Sequence, residues 1–118
     1  VGGASNSGKI GEIGNKNGWL IKNLAIQFFK SKPKINIYGS NYKTKDGTCI
    51  RDFVHVNDIV RAHYYGLGQF TKEKCFKSYN IGSGKGYSVL EILSLFEIIS
   101  EIDPEIEFFE SLSKLLLP

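Results

Sequence analysis

Two hydrophobic periodicities alternate along this chain, and their alternation leaves few folds open to it. Residues 34–38, K-I-N-I-Y, alternate with period two, whereas residues 19–30 carry apolar side chains at helical spacing. A second strand and a second helix then follow. Residues 49–56 have the composition of a strand, and Asn57 or Asp58 is placed to cap a helix that extends to about residue 70. Short strands that alternate with helices predict an α/β fold.

The second half of the chain continues this alternation. Residues 78–81 have the pattern of a third strand, and Ser88 with Glu91 has the spacing of a capping box for a helix over residues 89–99. Residues 105–109 predict a final strand. These strands are too few for a complete doubly wound sheet, and no strand–turn–helix nucleotide-binding unit opens the chain.

Charge and composition restrict the partners. Residues 1–85 hold 14 of the 15 Lys and Arg against 5 acids, so this part suits an anionic ligand. Most of these cations are scattered lysines without interleaved aromatics, so we expect no nucleic-acid partner. No apolar run reaches membrane-spanning length, and the small polar residues 1–9 are not a secretory signal. We therefore expect a cytoplasmic protein with no membrane partner, in which Cys49 and Cys75 are free thiols.

Two glycine patterns near the start suggest nucleotide binding and are better explained as a connecting loop. Residues 3–9 match the G-x4-G-K spacing of a P-loop, but Ile10 stands where that loop needs a Ser or Thr for magnesium. Residues 8–14 match G-x-x-G-x-x-G. Neither pattern follows a strand, and the glycines disfavour the helix that should come next.

Three segments, taken together, carry a far more specific pattern. Residues 36–58 read N-I-Y-G-S-N-Y-K-T-K-D-G-T-C-I-R-D-F-V-H-V-N-D, and residues 79–89 read Y-N-I-G-S-G-K-G-Y-S-V. Upstream, residues 3–12 read G-A-S-N-S-G-K-I-G-E. In order and spacing these segments resemble the UDP-glucose 4-epimerases, which are extended members of the short-chain dehydrogenase/reductase family. The resemblance extends from residue 1 to about residue 100.

The resemblance implies an α/β fold that is partial. Residues 1–109 would be the C-terminal, UDP-sugar-binding part of the extended reductase fold, without its N-terminal Rossmann unit, and residues 110–118 would be an unplaced tail. In the family an Arg-x-Gly-Asp stretch should follow residue 109, whereas this chain has E-S-L-S-K-L-L-L-P. We therefore expect a truncated chain from a split or decaying gene.

The resemblance also implies substrate-binding residues for UDP-glucose or UDP-galactose. They are Leu20, Asn36, Ile37, Tyr38, Arg51, Phe53 and Val89. The planar, permanently charged fork of Arg51 can bind two phosphate oxygens, and Tyr38 offers an aromatic face for uracil. Phe53 stands where the family usually has Tyr, so the ring is kept and a hydroxyl is lost.

Each of these residues has an ordinary structural alternative. By itself Arg51 would form an ion pair with Asp52 or Asp58, and Tyr38 and Phe53 would be core or surface aromatics. His55 and His63 have no third ligand at metal spacing and no nucleophile partner, so we expect structural roles and no metal site.

Catalytic residues are expected to be absent from this chain. The family uses NAD and a Tyr-x-x-x-Lys pair, but no Tyr in these 118 residues has Lys four positions later. The implied cofactor, NAD, belongs to the intact family, and the residues that bind it are expected to be missing here. Two rival interpretations stay open: a non-catalytic partner that completes a separately encoded N-terminal half, and a fragment of a related nucleotide-sugar dehydratase or epimerase. A homodimer, as in the intact family, also stays open.

Overall fold

The computed structural model describes residues 1–11, 13, 19–69 and 76–111 as a mixed α/β arrangement. In chain order the elements are α1 (Leu20–Phe28), β1 (Lys34–Tyr38), β2 (Ile50–Asp52), α2 (Val56–Leu67), β3 (Gly86–Ser88), α3 (Val89–Ser100) and β4 (Glu105–Phe109). The predicted α/β alternation is confirmed. Cys75 and residues 112–118 of the predicted tail lie outside the described residues.

Within the described residues the strands form two separate two-stranded sheets. β1 and β4 pair in parallel, with Ile37 opposite Phe108 and Tyr38 opposite Phe109. On this sheet Lys34 Nζ lies 2.7 Å from a carboxylate oxygen of Glu107 and 3.5 Å from one of Glu105. The hydrogen bond to Glu107, together with both negative charges, raises the pKa of Lys34 above its usual value. β2 and β3 pair antiparallel, with Arg51 opposite Tyr87.

The strand predicted over residues 78–81 is wrong, because described residues 76–85 contain no strand. Residues 78–81 have the alternating pattern of a strand, but a strand also needs a neighbouring strand with which to pair. The carboxylate of Asp52 instead accepts hydrogen bonds from the N–H groups of Ser83 and Gly84, which shapes a turn. Gly82 lies so close to Asp52 that a Cβ there would clash with the carboxylate. Pairing with β2 therefore begins only at Gly86. The run predicted over residues 49–56 is likewise strand only from Ile50 to Asp52.

Helix α2 begins earlier than predicted, and neither Asn57 nor Asp58 caps it. His55 is the N-cap, and its Nδ1 accepts the N–H of Asn57 at 3.1 Å. The backbone of the same segment pairs with Gly2, whose carbonyl accepts the N–H of Val56 at 2.8 Å. This pairing with the N-terminal segment extends the chain through His55, which leaves His55 at the cap position.

Helix α3 has the capping box that the sequence predicts. Ser88 Oγ accepts the N–H of Glu91 at 3.0 Å, and the Glu91 carboxylate accepts the N–H of Ser88 at 2.8 Å. These two hydrogen bonds satisfy backbone N–H groups that would otherwise be left unpaired at the start of the helix. The cap fixes where α3 starts, directly after β3.

One hydrophobic core joins α1, α3 and the β1–β4 sheet. Its buried residues are Leu24, Phe28, Ile35, Ile37, Ile92 and Leu93. The rings of Phe28 and Phe96 lie 5.5 Å apart between centroids, which holds α1 against α3. Helix α2 contributes no buried residue to this core. In the part of the chain that the structure describes, no helix is long and apolar enough to cross a membrane.

Candidate functional site

Four of the seven predicted substrate-binding residues lie in or against the hydrophobic core. Ile37 is a core residue, only 3% exposed, because it is on the inward face of β1. Leu20, Phe53 and Val89 are partly buried and pack against the same core. The fold therefore brings side chains from four separate sequence segments to one apolar cluster.

Asn36 and Tyr38 lie on the opposite, exposed face of β1. The Tyr38 ring stacks on Phe109 of β4, with centroids 5.5 Å apart and planes inclined by 29°. Beside this pair is a cleft of about 270 Å³, lined by Ser40, Asn41, Phe108, Phe109, Glu110 and Ser111. A second aromatic ring at this place was not predicted. The apolar period of residues 105–109 was its only sequence signal.

Arg51 is exposed in the middle of β2. Among described residues its guanidinium forms no ion pair, so the salt bridge with Asp52 or Asp58 is not made. Asp52 is engaged elsewhere: its Oδ1 accepts Ser83 Oγ at 2.6 Å and Ser83 N–H at 2.9 Å. The Ser83 hydroxyl, followed by the Ser83 and Gly84 N–H groups, lowers the pKa of Asp52 below its usual value of 3.8. Arg51 therefore keeps its charge available.

Asp46 supports the candidate site, a role that was not predicted from the sequence. Its Oδ1 accepts both the N–H and the hydroxyl of Thr48 at 2.8 Å, and its Oδ2 accepts the hydroxyl of Ser88. Thr48 is completely buried, and Ser88 is 4% exposed. The Ser88 hydroxyl, followed by the Thr48 N–H, lowers the pKa of Asp46 below 3.8. The sequence signal that could have indicated this role was the triplet Asp46-Gly47-Thr48, which lies shortly before Arg51.

The N-terminus of α3 is filled by the protein's own groups. Val89 N–H donates to the Cys49 carbonyl at 3.2 Å, and Leu90 N–H lies 3.4 Å from Thr48 Oγ1. With the carboxylates of Asp46 and Glu91 also there, this helix end has no spare donors for an anion. An anion near Val89 would therefore have to be bound by side chains.

A wider cleft is elsewhere in the described residues and contains none of the predicted residues. It measures about 770 Å³ and is lined by Ala62, His63, Tyr65, Gly66, Leu67, Gln69, Lys77, Tyr79 and Ile81. Tyr65 and Leu67 are each 65% exposed, and the cleft opens widely to solvent. It lies between α2 and residues 77–81, and both apolar and polar side chains line it.

Neither histidine belongs to a catalytic or metal-binding cluster in the described residues. His55 caps α2, and a ring nitrogen of His63 lies 2.8 Å from the carbonyl of Ile59 one turn earlier. The described residues contain no group of three or more His, Cys, Asp or Glu side chains arranged for a metal ion. Cys49 is a free thiol, as predicted.

Residues 3–11 of the glycine-rich segment lack the strand–turn–helix arrangement of a dinucleotide-binding loop. The N–H of Ser5 donates to the carbonyl of Ile10 at 2.8 Å, and the N–H of Gly8 donates to that of Ser5 at 2.9 Å. The segment thus closes on itself and binds its own carbonyls, and residues 3–11 form no strand or helix. Residues 12 and 14 of the G-x-x-G-x-x-G pattern lie outside the described residues.

Comparison with known proteins identifies relatives of this chain. It is 40% identical over 98 residues to the UDP-glucose 4-epimerase of Erwinia amylovora, and 37% over 93 residues to that of Halalkalibacterium halodurans. These matches cover 80% and 79% of this chain but only 28% of each relative. The chain therefore spans less than a third of the length of these relatives.

Solved structures agree with these relatives. A UDP-glucose 4-epimerase crystal structure superposes with a TM-score of 0.82 at 34% identity, covering 93% of this chain and 33% of that one. The Bifidobacterium longum enzyme, solved in complex with NAD+ and UDP, has a TM-score of 0.82 at 32% identity, covering 92% and 32%.

A family profile supplies the assignment. The NAD dependent epimerase/dehydratase family matches residues 10–82, which is more than half of the chain and includes both Arg51 and Asp46. The chain belongs to the NAD dependent epimerase/dehydratase family, and its relatives there are UDP-glucose 4-epimerases.

Proposed function

We propose that residues 1–109 are the C-terminal, UDP-sugar-binding part of a UDP-glucose 4-epimerase, with residues 110–118 as a tail without an assigned role. One observation carries the proposal. Arg51 is exposed without a carboxylate partner among described residues, while the adjacent Asp52 is held by the turn at Ser83. A cation that the chain leaves unpaired, at the position that the family resemblance assigns to phosphate, suits the diphosphate of a UDP-sugar.

The other predicted residues support a uridine site. Tyr38 and Phe109 offer a stacked aromatic surface, and the exposed Asn36 amide on the same face of β1 can donate and accept hydrogen bonds. Leu20 and Val89 would supply apolar contacts, and the Phe53 ring would lie near the diphosphate. The Ile37 side chain is buried in the core, so Ile37 would contribute through its backbone. This combination of an aromatic platform with few polar groups is typical of nucleotide-base sites.

We assign UDP-sugar binding to these residues and assign no catalytic step to them. These 118 residues contain no Tyr-x-x-x-Lys pair, and residues 3–11 lack the strand–turn–helix arrangement of a dinucleotide-binding loop. Interconversion of UDP-glucose and UDP-galactose would therefore require a polypeptide that supplies both the base and NAD. A separately encoded N-terminal half would do so, and a homodimer, as in the intact family, stays open for the completed enzyme.

The proposal predicts that Arg51→Ala weakens UDP binding. The expected loss is about 1.5 to 3 kcal/mol, the range for hydrogen bonds to a charged group. Arg51→Lys should restore only part of it, because an ammonium cannot make the two-pronged contact. UDP titrations of the 118-residue chain, followed by NMR chemical shifts, measure all three affinities.

Arg61→Ala is the matched control. Arg61 is the only other arginine and is exposed on α2, so its removal should leave UDP affinity unchanged. Equal affinities for Arg51→Ala and the parent chain would mean that Arg51 does not bind phosphate, and the site assignment would fall.

A further inference from the structure

The β2–β3 ladder places Arg51 and Tyr87 side by side. Residues directly opposite each other in an antiparallel pair point to the same face, with Cβ atoms about 5 Å apart. The register pairs Arg51 with Tyr87, whereas Asp52 and Ser88 belong to the other face. The ring of Tyr87 is partly buried against the core, so it is fixed in place.

Lys85 contacts the same ring. It precedes Tyr87 by two residues, and its Nζ lies 4.7 Å from the centroid of the Tyr87 ring in a cation–π contact. Tyr87 therefore has one cation, Lys85, against its ring and a second, Arg51, at the directly opposite position of the ladder.

The carboxylates next to this ladder are already engaged. Asp46 accepts from Thr48 and Ser88, Asp52 from Ser83 and Gly84, and Glu91 from the Ser88 N–H. Within the described residues neither Arg51 nor Lys85 has an ion pair. Two like charges on one face repel each other, and a ligand with two adjacent negative charges removes that repulsion.

We propose that Lys85 is a second phosphate-binding residue, which together with Arg51 binds a diphosphate across the ring of Tyr87. This inference rests on the proposed UDP site and adds to it a cation that the family resemblance does not assign. Arg51 supplies the planar fork, and Lys85 supplies a mobile point charge that can follow the second phosphate. Tyr87 keeps the Lys85 side chain on this face before the ligand arrives.

The test compares three probes on the 118-residue chain: UDP, inorganic pyrophosphate and uridine. Lys85→Ala should weaken UDP and pyrophosphate about three- to tenfold, as expected for one partly exposed charged contact, and should leave uridine unchanged. Lys85→Arg should retain the affinity. Added salt should weaken UDP binding more for the parent than for Lys85→Ala. Lys43→Ala, which removes another exposed lysine, in the 41–48 loop, is the control and should change none of the affinities.

The outcomes separate this inference from the proposed function. If Arg51→Ala weakens UDP binding but Lys85→Ala does not, the role of Lys85 is overturned and the UDP site stands. An equal loss in Lys43→Ala would also overturn it, because the effect would then be one of net charge. If the parent chain binds neither UDP nor pyrophosphate, both proposals fail.

Discussion

Asp46 is the residue on which the geometry around the candidate site depends most. Its carboxylate joins the loop that precedes β2 to the first residue before α3, through Thr48 and Ser88. It thereby fixes the start of the strand that carries Arg51 relative to Val89 at the start of the helix. Neither partner is exposed, so a lost bond would leave a buried polar group unsatisfied.

The lowered pKa of Asp46 makes stability depend on pH. Because the folded-state pKa lies below the usual 3.8, ionised Asp46 stabilises the folded chain fully above that value, and the contribution is lost as the pH falls through the folded-state pKa. Asp46→Asn should therefore lower the urea midpoint at about pH 7, and the difference from the parent should shrink toward about pH 3. Urea unfolding across this range measures the effect.

Asp103→Asn serves as the control for this pH series. Asp103 is exposed and has no side-chain hydrogen bond in the described part of the chain, so its variant should follow the parent at every pH. Asp52 also has a lowered pKa, so some acid sensitivity should persist in Asp46→Asn. A difference that stayed constant with pH would show that the charge of Asp46 is not what stabilises the loop.

Among the elements, α3 depends most clearly on a single side chain. Ser88 Oγ accepts from the helix N–H of Glu91 and donates to Asp46, so one hydroxyl serves both the cap and the loop. Ser88→Ala should lower the free energy of unfolding by about 1 to 2 kcal/mol, the upper part of the range for a lost N-cap. Urea titration followed by circular dichroism measures this loss.

Ser94→Ala tests whether the loss is specific to the cap. Ser94 lies exposed in the middle of α3, where Ala is the better helix former, so this variant should be equal to the parent or slightly more stable. Equal destabilisation by both substitutions would contradict the assignment of Ser88 as the cap.

The elements also show which features of this fold can be predicted from sequence. β1 and β4 were predicted to the residue, and α3 to within one, because alternation and the capping box are local signals. The strand over residues 78–81 failed because its partner is decided by tertiary contacts at Asp52. The cap of α2 failed because pairing with Gly2, more than fifty positions away, places His55 at the helix start.

The candidate site also has one part that could be predicted from the sequence and one part that could not. The family resemblance nominated Arg51 from its surrounding motif, but only the structure could show that the adjacent Asp52 is engaged by Ser83. The stacking of Tyr38 on Phe109 and the contact of Arg51 with Tyr87 across the β2–β3 ladder depend on strand register. Register between distant segments has no local sequence signal, so neither contact could be predicted.

At the scale of the whole molecule, the described residues leave many large apolar side chains exposed. Phe29 is 93% exposed, Ile99 82% and Ile98 73%, and α2 has no buried residue. Apolar surface of this extent is typical of a face that packs against further protein.

The 118-residue chain should therefore associate in solution. Sedimentation over a wide concentration range should give an average mass that rises above 13.2 kDa as the protein becomes more concentrated. Leu67→Glu should reduce that rise, because Leu67 is 65% exposed beside the large apolar cleft of α2 and a charge there opposes contact between apolar faces. Ser31→Glu adds the same charge at an exposed polar position and should have a smaller effect. A constant mass of 13.2 kDa at every concentration would mean that the α2 face is tolerated in water.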